Sequence, residues 1–355
     1  MNPPHRSSAT PTTLPTSRIN SEPQLPVSQI SVSQTSDIHT SDFLMDVIKG
    51  MSSVPRSLAA KYFYDETGSK LFDQICELPE YYPTRTESQI MARYATSMAD
   101  CIGPNCRLIE YGSGSSIKTR ILLDHLVDPA VYVPVDISDE HLRATAENLS
   151  PEYPLLPIAP VSADFTAPFD LPRAGVGVDR TCIYFPGSTI GNFSPRDAQR
   201  LLAGMPSCGR ADGLLIGFDL QKDVAVLEAA YNDQRGVTAA FNKNLLARIN
   251  RELYADFDLS RFHHLAFYNS NQSRIEMHLR SRCAQEVHIA GQSFQLQRAE
   301  TIRTEYSHKY TIEGFSAMAA RAGWASRRTW TDEQNYFAVM YLERSNWREQ
   351  CSSIK

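Results

Sequence analysis

The sequence has no basic excess, no long apolar run and no paired cysteine motif. Lys and Arg number 35 against 40 Asp and Glu, for a net charge of −5. A protein that grips nucleic acid by neutralising phosphates normally carries a basic surplus, so nucleic acid is not an expected partner, and neither is an anionic membrane surface. No stretch approaches the roughly 18–20 consecutive apolar residues of a membrane span. The first residues lack the apolar core of a secretion signal. Seven cysteines lie scattered at 76, 101, 106, 182, 208, 283 and 351 without a Cys-x-x-Cys pair, which argues against zinc. An odd cysteine count without a signal peptide fits a reducing cytoplasm. No internal repeat is visible. His263, His264 and His278 show no metal-like partner spacing and read as structural, so no metal is expected.

What remains is ordinary globular composition, 42% hydrophobic and 21% charged, enough for a full core in one large or two moderate domains. Residues 1–42 differ: nine Ser, six Thr and six Pro make up half of them, and no aromatic is present. Such a segment cannot bury enough apolar surface to offset its ordering entropy, and a disordered tail is expected. Regular patterning begins near Phe43.

Between 86 and 221 short apolar runs alternate with helical patterns. Strands are expected at Arg107–Tyr111, Val131–Val135, Ile158–Val161, Thr181–Phe185 and Gly213–Leu220. Helices are expected at Thr86–Met98, Ile117–His125, Asp139–Leu149 and Pro195–Met205. This alternation predicts an α/β fold with a parallel sheet covered on both faces. A helix over Ile312–Ala322 and two strands, Ala325–Trp330 and Tyr336–Leu342, close the pattern with an antiparallel hairpin. That is similar to the Rossmann-like class I methyltransferase arrangement. Residues 222–308 interrupt it with one long helical stretch, roughly 224–254, and strands near 262–268, 274–282 and 286–290. The expected organisation is a cofactor domain of 86–221 with 309–344, and a second α+β domain of 43–85 with 222–308.

The run Ile-Glu-Tyr-Gly-Ser-Gly-Ser-Ser-Ile-Lys, residues 109–118, follows a strand and precedes a helix. Gly112 and Gly114 let backbone N–H groups approach a ligand. A dinucleotide fingerprint requires a third glycine where Ile117 stands, which weakens a nicotinamide reading. Glu110–Gly114 instead resembles the Glu-x-Gly-x-Gly turn that binds S-adenosylmethionine. Asp136 ends the next strand, where a carboxylate can accept from both ribose hydroxyls; a helix N-cap is the plainer alternative. In Ser-Ala-Asp-Phe, Asp164 can accept from an adenine amino group, and Phe165 offers an amide and a ring face. Asp164 also reads as a turn residue.

Longer runs are more specific. They are Tyr62–Ser69, Leu71–Ile75, Leu78–Glu87, Phe185–Phe193, Arg274–Met277 and Thr304–Tyr310. In this order they closely resemble the S-adenosylmethionine-dependent L-histidine Nα-methyltransferases of ergothioneine biosynthesis, over about residues 50–342. The resemblance implies three successive methyl transfers from S-adenosylmethionine to the α-amino group of histidine. The products are its trimethyl betaine, hercynine, and S-adenosylhomocysteine. It implies cofactor residues Gly112, Gly114, Lys118, Asp136, Asp164 and Phe165. It implies amino-acid residues Tyr64, Tyr81, Asn192, Tyr231, Met277, Glu305 and Ser307, with Tyr81, Asn192 and Tyr231 nearest the chemistry. A small-molecule amino acid is the expected partner, and no obligate protein partner is evident.

These residue types suit the reaction. Methyl transfer from a sulfonium to an amine expels a neutral leaving group and needs no strong acid, so most of the catalysis can be positioning. Asn192 offers a donor and an acceptor to an amine or carboxylate. Tyrosine rings suit a growing quaternary ammonium. Glu305 and Ser307, two apart on an extended strand, share a face and can read the two nitrogens of an imidazole. Each also has a plain structural reading: Tyr81 as core aromatic, Asn192 as turn, Met277 as packing, Glu305 as exposed strand carboxylate, Lys118 as helix surface. The alternatives are the same chemistry on tyrosine or tryptophan, and a non-catalytic S-adenosylmethionine-binding protein.

Overall fold

In the computed structural model, residues 1, 32–114, 117–172 and 177–345 are described. The chain divides into two units, Met1–His39 and Thr40–Lys355. Most of the expected tail, residues 2–31, lies outside the described residues. Residues 32–42 are helical, the opening of α1 (Val32–Ser52), so regular structure begins before Phe43.

A single 3-10 turn, Ala60–Phe63, leads to α2 (Glu66–Cys76) and α3 (Tyr82–Ile102). Asp65 caps α2 by accepting from the Gly68 N–H at 2.8 Å. Then strand and helix alternate as the sequence pattern predicts. The elements are β1 (Cys106–Tyr111), α4 (Ile117–Leu123), β2 (Val131–Asp136), α5 (Asp139–Leu149), β3 (Val161–Ser162), β4 (Arg180–Phe185), α6 (Pro195–Gly204) and β5 (Gly213–Asp219). β1 and β5 are buried at every position, as strands covered on both faces must be. β3 is only two residues long; Ile158 makes an isolated bridge to Tyr132 in place of a continuous strand.

The long helix expected over 224–254 is two helices, α7 (Val224–Ala229) and α8 (Val237–Leu253). Capping explains the break. Asp233 accepts from the Val237 and Thr238 N–H groups at 2.9 and 2.8 Å, starting a new helix. Next come β6 (Phe262–Asn269), β7 (Arg274–Ser281), β8 (Gln285–Ile289), β9 (Gln292–Leu296) and β10 (Thr301–His308). The chain returns through α9 (Ile312–Arg321) to the hairpin of β11 (Trp324–Thr331) and β12 (Phe337–Arg344).

The large sheet has the order β11-β12-β5-β4-β1-β2-β3. β1 to β5 run parallel, and β12 enters antiparallel between β5 and β11. The expected parallel sheet with an antiparallel C-terminal hairpin is therefore present. Two apolar clusters cover it, one around Ile109, Phe185, Phe218 and Phe315, the other around Leu108, Tyr132, Tyr184 and Tyr341. A third core joins α1, α2 and α8 to the antiparallel sheet β10-β7-β6, through Val47, Phe63, Phe241, Leu245 and Ile275. Burial of this order, at about 25 cal/mol per Å² of apolar surface, fixes the walls between which the cavity opens. Among the described residues no helix is long and apolar enough to cross a membrane.

Candidate active site

The carboxyl ends of β1, β2, β4 and β5 open into one cavity of about 1250 Å³. This is where open α/β sheets bind ligands, because the strand-to-helix loops diverge there. Its walls include Gly112, Gly114, Lys118, Asp136, Asp164, Phe165, Tyr64, Tyr81, Asn192, Tyr231, Glu305 and Ser307. Twelve residues singled out along more than two hundred positions thus meet at one surface.

At one end lies the glycine turn. Gly112 and Gly114 have φ of +73° and +46°, values a side chain would strain, and no atom lies within 4 Å of where either Cβ would stand. The Gly112 N–H donates to the Val135 carbonyl at 2.8 Å, tying the turn to β2. Beneath it, Glu110 is buried and accepts from Tyr132 Oη at 2.6 Å and Thr119 Oγ1 at 2.8 Å. Burial pushes its carboxyl up to about 8, opposed by the two hydroxyl donors. Asp136 closes β2, and its Oδ1 accepts from the Ser138 N–H at 3.0 Å. The Phe165 ring stacks on Tyr111, centroids 5.1 Å apart, with Phe185 edge-on at 5.5 Å.

Two predicted cofactor residues have protein partners of their own. The Lys118 ammonium pairs with the fully buried Glu87, which also accepts from the Gly187 N–H at 3.0 Å. Lys118 thereby ties α4 to α3 and to the loop after β4. Asp164 accepts from the Thr166 N–H at 2.9 Å and from Lys61 Nζ at 3.3 Å. Burial would raise its carboxyl, but these donors hold it below the usual value.

The other end of the cavity is aromatic. Tyr81 meets Tyr231 edge-on at 6.3 Å, and Phe72 meets Tyr64 edge-on at 5.6 Å. Burial raises the phenols of Tyr64, Tyr81 and Tyr231, which therefore stay neutral. Tyr231 reaches the wall because the chain breaks between α7 and α8. Asn192 ends a 3-10 turn, Thr189–Asn192, after β4. That turn packs on β10 through Gly191, where a Cβ would stand 2.9 Å from the His308 carbonyl oxygen and 3.2 Å from its nitrogen. Glycine is what lets the loop after β4 touch β10.

On β10, Glu305, Ser307 and, just past its end, Lys309 line the cavity. The Glu305 side chain makes no hydrogen bond to another described residue. Burial pushes its carboxyl up to about 7, opposed by the charge of Lys309. Met277, opposite Glu305 in the β7–β10 register, is 1% exposed and belongs to the third core; it stands behind the wall and not in it.

The sequence reading missed a buried charge cluster at the centre. Lys309 Nζ donates to Asp219 Oδ2 at 2.7 Å, Ser307 Oγ at 2.8 Å and Tyr231 Oη at 3.3 Å. Asp219 also accepts from Lys222 at 2.6 Å and Tyr82 Oη at 2.6 Å. Burial alone would raise Asp219 and lower Lys309; their pairing holds Asp219 low and Lys309 high. Burial lowers Lys222 to about 8, against the opposing pull of Asp219. The continued alternation 305, 307, 309 was the available signal for Lys309. Among the described residues no group of His, Cys, Asp and Glu could hold a metal.

A glycine turn with open space above it, a strand-end aspartate and this sheet order define an S-adenosylmethionine-dependent methyltransferase. The profile of the family described as histidine-specific, S-adenosylmethionine-dependent methyltransferases matches residues 43–344, and the chain belongs to that family. It is similar to a histidine N-alpha-methyltransferase of Mycolicibacterium smegmatis, 42% identical over 84% of this chain and 94% of that protein. It is also 42% identical to a histidine N-alpha-methyltransferase of Mycobacterium tuberculosis, over 83% of this chain and 92% of that one. Among solved structures, magnesium protoporphyrin IX methyltransferase from Synechocystis overlaps 80% of the chain at 8% identity, with a TM-score of 0.43.

Proposed function

We propose that this protein methylates the α-amino nitrogen of L-histidine three times, giving hercynine for ergothioneine synthesis. The carrying observation is Glu305, an unpaired carboxylate two residues from the Ser307 hydroxyl in an aromatic cavity continuous with the glycine turn. A half-buried acceptor without a donor is costly unless a ligand supplies one, and an imidazole N–H does so.

In this reading Gly112, Gly114, Asp136 and Phe165 hold the cofactor, and Asp164 does so where it is not engaged by Lys61 and Thr166. Bound there, S-adenosylmethionine supplies an electrophilic methyl group. The residues of this chain then orient the acceptor. Asn192 can donate to the amino acid's carboxylate or accept from its amine, and no other described residue occupies its amide. Tyr81 turns a neutral hydroxyl and a ring face to the amine, and Tyr231, whose hydroxyl is engaged by Ser307 and Lys309, turns its ring face. Their π-faces favour the cation that accumulates with each methyl added. Because these phenols are neutral, they position the amine and do not deprotonate it. Residues 43–85 and 222–308 form the amino-acid-binding side of this division of labour, and 86–221 with 309–344 the cofactor side.

The test is mass spectrometry of the purified protein incubated with S-adenosylmethionine and each of the twenty amino acids. A gain of three methyl groups on histidine alone is expected. Trimethylation of tyrosine or tryptophan instead would retain the chemistry and refute the assignment of Glu305 and Ser307. No product with any amino acid would refute the proposal as a whole.

A further inference from the structure

We propose that Lys309 is a positioning residue for substrate selection, which makes the Ser307 hydroxyl a donor only and so restricts the site to a neutral azole ring. The inference rests on the reading that the substrate's ring meets Glu305 and Ser307.

The argument is a count of protons and lone pairs. An ammonium has three donors and no acceptor. Lys309 spends them on Asp219, Ser307 and Tyr231, at 2.7, 2.8 and 3.3 Å. Ser307 and Tyr231 lie 2.8 Å apart, the phenol donating to the serine oxygen. That order follows from acidity, since a phenol is a far better donor than an aliphatic hydroxyl. Ser307 Oγ therefore accepts twice, once from Lys309 and once from Tyr231. Both lone pairs are used, and only its proton is left for the cavity.

Lys309 cannot easily relax this order. It is 2% exposed, and its partner Asp219 is wholly buried and further held by Lys222, Tyr82 and the Ser188 hydroxyl. The cluster thus transmits the polarity of a fixed buried cation to a surface the substrate touches. Beside it on the same strand face stands Glu305, whose carboxylate form can only accept. One donor and one acceptor, two residues apart, match a ring with one bare nitrogen and one N–H. An imidazolium, with two N–H groups, would drive one of them against the Ser307 proton. An indole offers no bare ring nitrogen to that proton, and a phenol, whose oxygen can both accept and donate, presents one atom where Ser307 and Glu305 read two. The cluster also explains why a charged lysine is buried at a site whose ligand is a neutral ring: it acts through Ser307.

Two measurements test this. The first uses the wild-type protein with S-adenosylhomocysteine and ring-15N-labelled histidine, by NMR near pH 8, above the value of about 7 at which Glu305 gains its charge. One protonated and one bare ring nitrogen are expected. Two protonated nitrogens in the bound ring would overturn the proposal, and this arm depends on no variant folding. The second compares Lys309→Met with wild type for histidine and for 3-(pyrrol-2-yl)alanine, whose ring has an N–H but no bare nitrogen. By calorimetry, histidine should weaken roughly tenfold or more, the pyrrole within about twofold, because only histidine meets the Ser307 proton. Equal losses for both ligands would mean that Lys309 is only structural. Ser307→Ala and Glu305→Gln serve as controls on the underlying reading. Unchanged histidine affinity in both would overturn the ring's placement itself, a result distinct from a failure of Lys309 alone.

Discussion

Replacing Glu305 with glutamine should make the protein more stable and a worse enzyme, and the stability gain should depend on pH. The carboxyl stands at about 7 in the folded chain against an ordinary value of 4.5, because burial disfavours its charge. A carboxyl raised on folding binds its proton more tightly in the native state. Glu305 therefore costs nothing below 4.5, costs progressively more between 4.5 and about 7, and costs its full amount above that. At about 1.4 kcal/mol for each tenfold change in proton affinity, the ceiling is about 3 kcal/mol. Water entering the open cavity reduces this to about 1–2 kcal/mol. Urea denaturation of wild type and Glu305→Gln near pH 8.5 should show that difference in favour of the variant, and near pH 4.5 almost none. Histidine KM should move the other way, rising roughly 10- to 100-fold as the charge-assisted acceptor is lost. Wild-type affinity for histidine should also climb as pH rises through about 7, and the variant should keep only the shallower part that belongs to the histidine ring itself, near 6.5. A variant whose advantage over wild type is no larger at high pH than at low pH would refute the assignment of Glu305 as a half-buried, unpaired acid.

Three further outcomes follow from the geometry. Asp136→Ala should weaken S-adenosylmethionine binding by roughly 10- to 100-fold in calorimetry, since a carboxylate accepting from ribose hydroxyls is lost, while thermal stability changes little. Asn192→Ala should lower kcat by about a hundredfold with cofactor affinity intact; a change confined to cofactor affinity would move Asn192 out of the acceptor site. Gly191→Ala should destabilise the protein by about 1–3 kcal/mol in thermal melts, because its Cβ would press on the His308 backbone 2.9 Å away.

The large sheet was legible in the sequence because its strands are short, apolar and separated by helical periods. β1, β2, β4 and β5 begin and end within a residue or so of their expected limits. β3 failed because residues 158–161 make only one bridge and a two-residue ladder at the sheet edge, where apolar character reflects packing and not pairing. The α7–α8 break was overlooked because helical periodicity continues on both sides of it. The decisive signal was local, Asp233 followed by Gly236 at φ +72°, a cap pair that outweighs the period. β9 and β10 went unassigned, yet the alternation of Glu305 and Ser307 was enough to place both on one face. The site residues with motif support reached the cavity, except Met277, whose buried register position opposite Glu305 depends on strand pairing that a single sequence does not display. The Asp219–Lys309 pair was missed for a related reason. The two residues come from strands of different sheets, and nothing local in sequence marks an aspartate that ends one strand as the partner of a lysine just past another.

The place of β12 bears on how such a chain is made. β5 ends at Asp219, but its outer neighbour is Phe337–Arg344, and the whole antiparallel sheet and α9 are synthesised in between. Until those late residues leave the ribosome, β5 presents a row of unpaired N–H and C=O groups on a strand that is apolar up to its last residue, Asp219, the kind of edge that recruits other chains. The strand that seals it is itself buried at all but its last position, so it cannot be shortened without reopening that edge. Chains cut before Phe337 are thus expected to aggregate, and the yield of soluble protein should depend more on the fate of these eight residues than on any residue that touches the substrate.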